Sequence, residues 1–393
     1  MMWGRILKMV MVVLIFNLFR YSMLEVKAVP EPPSHSAKAA ILFELTSGRI
    51  LYEDNVDEQR SIASVTKVMT AIIAIEHGNL QDKVTTSENA YGVEGSSIYL
   101  RLNESLTLED MLYGLMLISG NDAAVAIAEH VGGSVEGFAI LMNEKARELG
   151  MRDTQFSNPH GLEAPNHYST ARDLALLTSY AMKNENFRKI VGTVRKEAPY
   201  EGESYNRVWI NKNRMLYRYD GTIGVKTGFT REAGRTLITA AERNGLQLGV
   251  VTLADGDDWR DHAAFYDYGF TNYSMHTLVE PETNLSQLSV EEGFLLPADA
   301  KVTSIFRYPL LLEEEGAISY HYIPLDQKAG AVTFGQVGIL QIKLQGRSVG
   351  QIPVWRGAET DAASINGMEE RNWVDVWWRS FFRVSFVTMG GKR

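Results

Sequence analysis

The sequence predicts an α/β fold in which helices pack on an antiparallel sheet, followed by a smaller β-rich region. Strand-like runs come first, a block of helical periodicity follows, and strands then return. This order is typical of a layered domain whose early and late strands share one sheet. With 393 residues, 45% of them hydrophobic, the chain has ample material for a packed core.

The first half of the chain combines one predicted hairpin with five predicted helices. Strand-like residues 39–45 and 49–52 flank Thr46-Ser47-Gly48, which is a turn signal. Apolar residues then recur with helical spacing in five segments: Ala63–His77, Leu108–Leu117, Asp122–Val131, Val135–Leu149 and Leu174–Met182.

The second half returns to strands. Runs rich in Thr, Val, Ile and Leu predict strands at Thr222–Lys226, Arg235–Ala241 and Leu246–Leu253, and Trp259–Phe270 predicts a closing helix. Helical periodicity disappears from about residue 277 to 366, where only short strands are predicted: Lys301–Phe306, Gly338–Leu344 and Val349–Val354. We therefore expect one domain over residues 35–275 and a small β-rich domain over residues 277–366.

The two ends carry targeting patterns. Residues 1–28 combine a basic start, a short apolar core and a small residue at Ala28, which predicts a cleaved secretory signal. An uncleaved membrane anchor is the alternative, but the apolar run is shorter than the ~20 residues that a spanning helix needs. Residues 371–390 predict an amphipathic helix with many aromatic residues, which favours binding to an anionic membrane surface. A helix docked on the protein itself is the alternative there.

Composition excludes several classes of function. The net charge is −9, so no overall basic surface for nucleic acid is expected. The chain has no cysteine, which excludes disulfides, thiolate metal sites and cysteine nucleophiles. His160 and His167, with Asp173 nearby, match no standard zinc spacing, and we interpret them as structural. Neither a metal nor a cofactor is expected.

Ser64 and Lys67 open the first predicted helix. Their spacing of three residues places the hydroxyl and the amine on one helix face. A lysine desolvated beside other cations can have its pKa lowered enough to take a proton from serine. Taken alone, the pair also fits a capping serine and a solvated lysine.

Two further triplets have the same ambiguity. Ser119 and Asn121 flank Gly120 between two predicted helices, where Ser119 can relay a proton and Asn121 can hold a substrate amide. They also fit an ordinary helix–helix turn. Lys226 and Thr227, beside a predicted strand, can receive a carboxylate, and Gly228 leaves room for an extended substrate. These three residue types are equally typical of a strand end followed by a turn.

The ordered set is far more specific than its parts, because S-x-x-K, S-x-N and K-T-G together mark penicillin-recognising serine acyl-transfer enzymes. The chain resembles the low-molecular-mass D-Ala-D-Ala carboxypeptidases, peptidase family S11, and its stretches Gly95–Gly133 and Asp257–His262 look most like the sporulation-type members of endospore formers. The resemblance implies a β-lactamase/transpeptidase-like fold. Four segments carry it most clearly: Ser61–Thr70, Leu117–Ala124, Asn158–Leu162 and Gly224–Thr230.

The resemblance also implies roles for individual residues. Ser64 is expected to be the nucleophile, Lys67 its general base and Ser119 a proton relay. Substrate would be held by a larger set: Asn121, Lys226, Thr227, Gly228, the backbone N–H of Phe229 and, with less support, Arg260. Lys212 occupies another position that is often basic in this family. Phe229 stands where the family often has Tyr or His, which affects specificity more than chemistry.

The expected activity is removal of the terminal D-alanine from peptidoglycan stem pentapeptides outside the cytoplasmic membrane, with inhibition by β-lactams. For a sporulation-type member, the location would be the forespore intermembrane space. A β-lactamase of the same superfamily is one alternative, but Glu163 and Asn166 have the wrong spacing for its deacylating motif. A non-catalytic sensor of wall fragments is the other, although it would not need the full proton-transfer set.

Overall fold

The computed structural model describes residues 30–288, 290, 300–325 and 335–356. The described residues from Pro32 onward belong to one compact unit. The predicted signal at residues 1–28 and the predicted amphipathic helix at residues 371–390 lie outside the described residues. No single helix in the described ranges is long and apolar enough to cross a membrane, and one bent pair, Asn121–Gly132 with Val135–Glu148, passes that test by length and composition only.

The described strands are β1 Ala39–Glu44, β2 Ile50–Asp54, β3 Lys83–Thr85, β4 Ser105–Thr107, β5 Arg195–Ala198, β6 Arg207–Ile210, β7 Thr222–Thr230, β8 Gly234–Arg243, β9 Leu246–Leu253, β10 Tyr273–Val279, β11 Ala300–Val302, β12 Phe306–Leu311, β13 Ile318–Pro324, β14 Gly335–Leu344 and β15 Arg347–Arg356. The described α-helices are α1 Lys67–His77, α2 Leu108–Tyr113, α3 Asn121–Gly132, α4 Val135–Glu148, α5 Ala171–Ala181, α6 Glu185–Gly192, α7 Met215–Arg218 and α8 Asp258–Asn272. Short 3-10 turns cover Ala63–Thr66, Leu285–Gln287 and Leu312–Ala317, and a π-helical turn covers Gly114–Ile118.

The main sheet has five strands in the order β2-β1-β9-β8-β7, with every neighbouring pair antiparallel. Both faces of β1 are buried, because alternate residues of a strand point to opposite faces. Ile41 and Phe43 join the large core that contains α1, whereas Ala40 and Leu42 join a second core with Phe265 of α8. Helices on an antiparallel sheet are what the sequence predicts, and the fold class is confirmed.

Most helices of the central block begin at a residue whose side chain caps them. Thr107, Ser134, Thr170 and Asn184 each accept a hydrogen bond from the backbone N–H three residues ahead. Such caps satisfy donors that the first helical turn leaves unpaired. They fix where α2, α4, α5 and α6 start. They therefore fix the positions of the helices that surround α1, the first long helix.

The region after α8 is built from strands, as the sequence predicts. Strands β11, β15, β14 and β13 form a four-stranded antiparallel sheet, and β10 pairs with β12. Val302, Leu340 and Val354 belong to its own hydrophobic core. This β-rich region is therefore a packing centre with its own core, and Tyr273 of β10 and Leu311 of β12 also join the core around Phe265.

Candidate active site

Ser64 and Lys67 lie on successive helical segments, three residues apart. Ser64 belongs to the 3-10 turn Ala63–Thr66, and Lys67 is the first residue of α1. The Lys67 Nζ atom lies 3.0 Å from the Ser64 Oγ atom, within hydrogen-bond distance. A hydroxyl that can act as a nucleophile and an amine that can act as a base are therefore in direct contact, as their spacing predicts.

The surroundings of Lys67 favour its neutral amine. Its side chain is fully buried, and Nζ donates to Asn121 Oδ1 at 2.7 Å and to the backbone carbonyl of His160 at 2.6 Å. Burial, followed by the nearby charges of Lys226 and Lys212, holds the pKa of Lys67 well below its usual range. A neutral amine carries the lone pair that a general base requires.

Asn121 contacts Lys67 from a neighbouring helix, and Ser119 lies two residues before it. Ser119 ends the π-helical turn with a φ of 68°, and Asn121 opens α3. Asn121 Nδ2 donates to the backbone carbonyl of Glu94 at 2.6 Å, and this contact leaves Oδ1 directed at Lys67. The Ser119 hydroxyl is buried and has no hydrogen-bond partner among the described residues.

The third triplet lies on β7, at the edge of the main sheet. Lys226 is buried, and its Nζ donates to the backbone carbonyl of Thr227 at 2.9 Å. Burial, followed by the charge of Lys212, lowers the pKa of Lys226 to about 7. A Cβ placed on Gly228 would lie 3.0 Å from the backbone nitrogen of Ser64. Strand β7 therefore runs directly against the Ser64 turn, and the three triplets form one site.

Comparison with known proteins identifies the family of this site. The model of the D-alanyl-D-alanine carboxypeptidase family, peptidase S11, matches residues 26–256. The chain belongs to this family. It is similar to the D-alanyl-D-alanine carboxypeptidase DacF of Bacillus subtilis, with 36% identity over 269 residues, 66% of this chain and 69% of that one. It is also similar to DacC of Escherichia coli, with 31% identity over 348 residues, 82% of this chain and 84% of that one.

Solved structures agree with this assignment. Penicillin binding protein 5 from Haemophilus influenzae is 25% identical, with a TM-score of 0.69 over 83% of this chain and 98% of that one. An S96A mutant of the Streptomyces K15 DD-transpeptidase is 33% identical, with a TM-score of 0.58 over 61% of this chain and 99% of that one. The predicted activity, that of a serine-type D-Ala-D-Ala carboxypeptidase of the penicillin-binding family, is confirmed.

Three further positions of the carboxypeptidase were singled out in its sequence. The Phe229 side chain is 67% exposed. The Lys212 Nζ atom lies 3.4 Å from Ser96 Oγ, and its charge lowers the pKa of both buried lysines. The Arg260 side chain is 69% exposed, and its guanidinium lies 3.3 Å from Asp257 and from Asp261. Lys212 therefore acts on the site through its charge, whereas the described contacts of Arg260 are with one carboxylate of α8 and with that of Asp257, the residue before this helix.

Sequence reasoning missed the groups that hold the carboxypeptidase site in place. Two of them are the backbone carbonyls of Glu94 and His160. Every residue has a backbone carbonyl, so the type of residue does not indicate which carbonyl will be used. The third is Asp122, a buried carboxylate that accepts from Ser97 Oγ at 2.6 Å and from the backbone N–H of Leu100 at 3.1 Å. Its position directly after Asn121 is the one signal in the sequence that was available.

Proposed function

We propose that Ser64 is the acylated nucleophile of this carboxypeptidase and that Lys67 is its general base. The contacts of Lys67 carry the proposal. A neutral amine has two N–H bonds and one lone pair, and the oxygens of Asn121 and His160 can only accept. Both N–H bonds are therefore used there, and the lone pair is left for the Ser64 hydroxyl 3.0 Å away.

The edge strand β7 would bind the end of the substrate peptide. The terminal carboxylate would lie against the Lys226 ammonium and the Thr227 hydroxyl, since a cation is needed to offset a carboxylate in a buried site. The backbone N–H groups of Ser64 and Phe229 would stabilise the oxyanion. The close approach of Gly228 to the Ser64 nitrogen supports this pairing, because any side chain there would fill the same space.

Ser119 and Asn121 would serve the leaving group. A buried hydroxyl without a partner is costly, so we expect the Ser119 Oγ to find its partner in the bound substrate. Ser119 would pass a proton to the nitrogen of the departing D-alanine. Asn121 would hold the peptide amide while its Oδ1 keeps Lys67 in place.

The proposed reaction has two halves, acylation of Ser64 and hydrolysis of the acyl-enzyme. Lys67 takes the proton of Ser64 as Oγ attacks the carbonyl of the penultimate D-alanine, and the oxyanion forms in the site of the two backbone N–H groups. The C–N bond breaks, the proton taken up by Lys67 passes through Ser119 to the D-alanine nitrogen, and an ester remains on Ser64 beside a neutral Lys67. Lys67 then deprotonates a water molecule that attacks the ester, and as the ester bond breaks the proton passes from Lys67 to Ser64 Oγ, which restores the free enzyme. A β-lactam that mimics the peptide would stop at the ester.

We further propose that the enzyme works outside the cytoplasmic membrane on stem peptides of the vegetative wall or the spore cortex. The secretory pattern of residues 1–28 supports export. The amphipathic pattern of residues 371–390 supports attachment to the membrane surface. The resemblance to sporulation-type members supports the cortex as one substrate and the forespore intermembrane space as the matching location.

The test combines intact-mass measurement after brief exposure to benzylpenicillin with release of D-alanine from a D-Ala-D-Ala peptide. We expect one penicilloyl adduct that maps to Ser64, and loss of both adduct and release in Ser64→Ala. Ser61→Ala is the matched control, because this serine lies just before the 3-10 turn that carries Ser64 and its hydroxyl donates to Glu232. An adduct on another residue, or normal turnover by Ser64→Ala, would contradict the assignment of Ser64.

A further inference from the structure

The backbone immediately before Ser64 is held in an unusual conformation. Ala63 has a φ of 48°, in the left-handed region that residues other than glycine rarely adopt. Ala63 begins the 3-10 turn that carries Ser64, so its conformation sets the direction of the nucleophile. A conformation of this kind persists only when surrounding contacts hold it.

Two contacts hold the Ala63 carbonyl. The Thr66 hydroxyl donates to it at 2.8 Å, and Thr66 is fully buried. Gly161 packs on the same oxygen with a φ of 86°, and a Cβ there would lie 2.0 Å from it. The position of the carbonyl therefore depends on Thr66 and on the segment around Gly161.

His167 completes a chain of hydrogen bonds that ends on this carbonyl. Its Nδ1 accepts from the backbone N–H of Ser157 at 3.0 Å, so in the neutral ring the proton lies on Nε2. Nε2 is 2.8 Å from Thr66 Oγ1, and because the Thr66 proton points to Ala63, Oγ1 accepts from the ring. Each hydrogen bond in this series therefore has one donor and one acceptor, from the Ser157 N–H to the Ala63 carbonyl.

Burial supports the neutral ring. His167 is buried, and its ring meets Phe156 edge-on with centroids 5.9 Å apart. Desolvation, with a smaller effect from the charge of Lys67, lowers the pKa of His167 to about 4. The ring can therefore donate through Nε2 and accept through Nδ1 at neutral pH.

We propose that His167 is a positioning residue for the nucleophile, and that it acts through Thr66 on the Ala63 carbonyl. The proposal rests on Ser64 being the nucleophile and adds a residue that touches no reacting atom. Residues 157–167 form one loop, which also places the His160 carbonyl 2.6 Å from Lys67 Nζ. This 157–167 loop therefore positions both partners of the Ser64–Lys67 contact. It positions Ser64 through His167 and Thr66, and Lys67 through the His160 carbonyl.

Two substitutions of His167 separate the two hydrogen bonds. His167→Asn can keep the acceptor for Ser157 but cannot reach Thr66, whereas His167→Gln can keep the donor to Thr66 and loses the acceptor. We expect His167→Asn to slow acylation by benzylpenicillin about tenfold, the effect of one buried hydrogen bond, with KM for the peptide little changed. His167→Gln should recover most of that loss.

Thr66 gives an independent check. Thr66→Val removes the hydroxyl at nearly constant volume and should slow acylation as His167→Asn does, whereas Thr66→Ser should retain most of the rate. The double variant Thr66→Val with His167→Asn should be no slower than Thr66→Val alone, because both act through one chain of bonds. Rates are taken per molecule that can be acylated, so that misfolded protein does not count.

His262 is the matched control. It is another buried histidine that lies between two threonine hydroxyls, at 2.6 Å from Thr239 Oγ1 and 2.9 Å from Thr252 Oγ1. His262→Asn and His262→Gln should change thermal stability without changing the acylation rate. Equal rates in the Asn and Gln variants of His167 would overturn the inference, as would simple additivity with Thr66→Val. Absence of any Ser64 adduct in the wild type would instead overturn the proposed function.

Discussion

At the scale of single residues, the proposed mechanism requires opposite charge states on two buried lysines. Lys67 must be neutral to accept a proton, whereas Lys226 must be charged to hold a carboxylate. Burial lowers the pKa of both, and for Lys67 the neighbouring Lys226 is the next largest cause. A charged Lys226 therefore helps to keep Lys67 neutral, and the two requirements support each other.

The pKa of Lys226 predicts the alkaline side of the pH profile. Since this pKa is lowered to about 7, the free enzyme loses the ammonium as the pH rises above that value. We expect kcat/KM for a peptide with a free carboxylate to fall above pH 7, approaching about tenfold per pH unit, because only the protonated fraction binds. Initial rates of D-alanine release between pH 5 and about 10 measure this.

Lys212 provides the control for that profile. Its charge is the second cause that lowers the pKa of Lys226, so Lys212→Met should move the alkaline limb to higher pH. Lys226→Arg should remove the limb, whatever its effect on the maximal rate, since a guanidinium stays charged. A wild-type profile that stays flat from pH 7 to about 9 would contradict the assignment of this group.

The residues that form the candidate site could be predicted from the sequence because their order and spacing are specific. Ser64, Lys67, Asn121 and Lys226 lie in one site, although they are far apart along the chain. The partners that orient them could not be predicted in the same way. The Glu94 and His160 carbonyls are backbone groups, and the left-handed conformation of Ala63 is imposed by contacts from distant segments.

At the scale of elements, Asp122 ties the loop of residues 94–100 to α3. Its carboxylate accepts from the Ser97 hydroxyl and from the backbone N–H groups of Ile98 and Leu100. The same loop accepts from the backbone N–H of Asn121 through the Ser96 carbonyl at 2.7 Å. The helix and the loop therefore hold each other where Asn121 meets Lys67.

Asp122→Asn should loosen this loop. The amide turns one acceptor oxygen into a donor that faces backbone N–H groups, so we expect a loss of about 1–3 kcal/mol in the free energy of unfolding. We also expect a lower acylation rate, because Asn121 loses its fixed position. Denaturant unfolding and the rate of adduct formation measure the two effects.

Glu129 on the same helix is the comparison for Asp122. It accepts from Ser87 at 2.5 Å and from the more exposed Asn89 at 2.9 Å, outside the site. Glu129→Gln should leave the acylation rate unchanged, with a smaller loss of stability. If Glu129→Gln slowed acylation as much as Asp122→Asn, the effect would not be specific to the loop of residues 94–100.

The main elements could be predicted because apolar periodicity and capping residues agree. The long predicted helix Leu108–Leu117 is one exception, because it ends at Tyr113 and continues as the π-helical turn Gly114–Ile118. The predicted strand Lys301–Phe306 is another, because β11 ends at Val302 and β12 begins at Phe306. Helix α6 and the β5–β6 hairpin were not predicted. The strand β5 is short and contains Arg195, Lys196 and Glu197, so its sequence has too few apolar residues to indicate a strand.

At the scale of the whole molecule, Arg49 joins the main sheet to the β-rich region. It lies beside the turn of the first hairpin and donates to both oxygens of Glu314, at 2.8 and 2.6 Å. It also donates to the Pro309 carbonyl, and its guanidinium lies 5.3 Å from the ring of Tyr273 and 5.2 Å from that of Tyr308. This is a largely buried ion pair between two packing centres.

Arg49→Ala should uncouple the two packing centres without damaging the site. Removing one member of a buried ion pair leaves the Glu314 carboxylate without its cation, which typically costs about 3–5 kcal/mol. Because each centre has its own core, calorimetry should show two transitions in the variant where the wild type shows one. Arg195→Ala, which breaks the exposed pair with Glu197, should keep the wild-type transition. Acylation of Ser64 at low temperature should be unchanged in both variants, and a slower rate in Arg49→Ala would mean that the β-rich region supports the site itself.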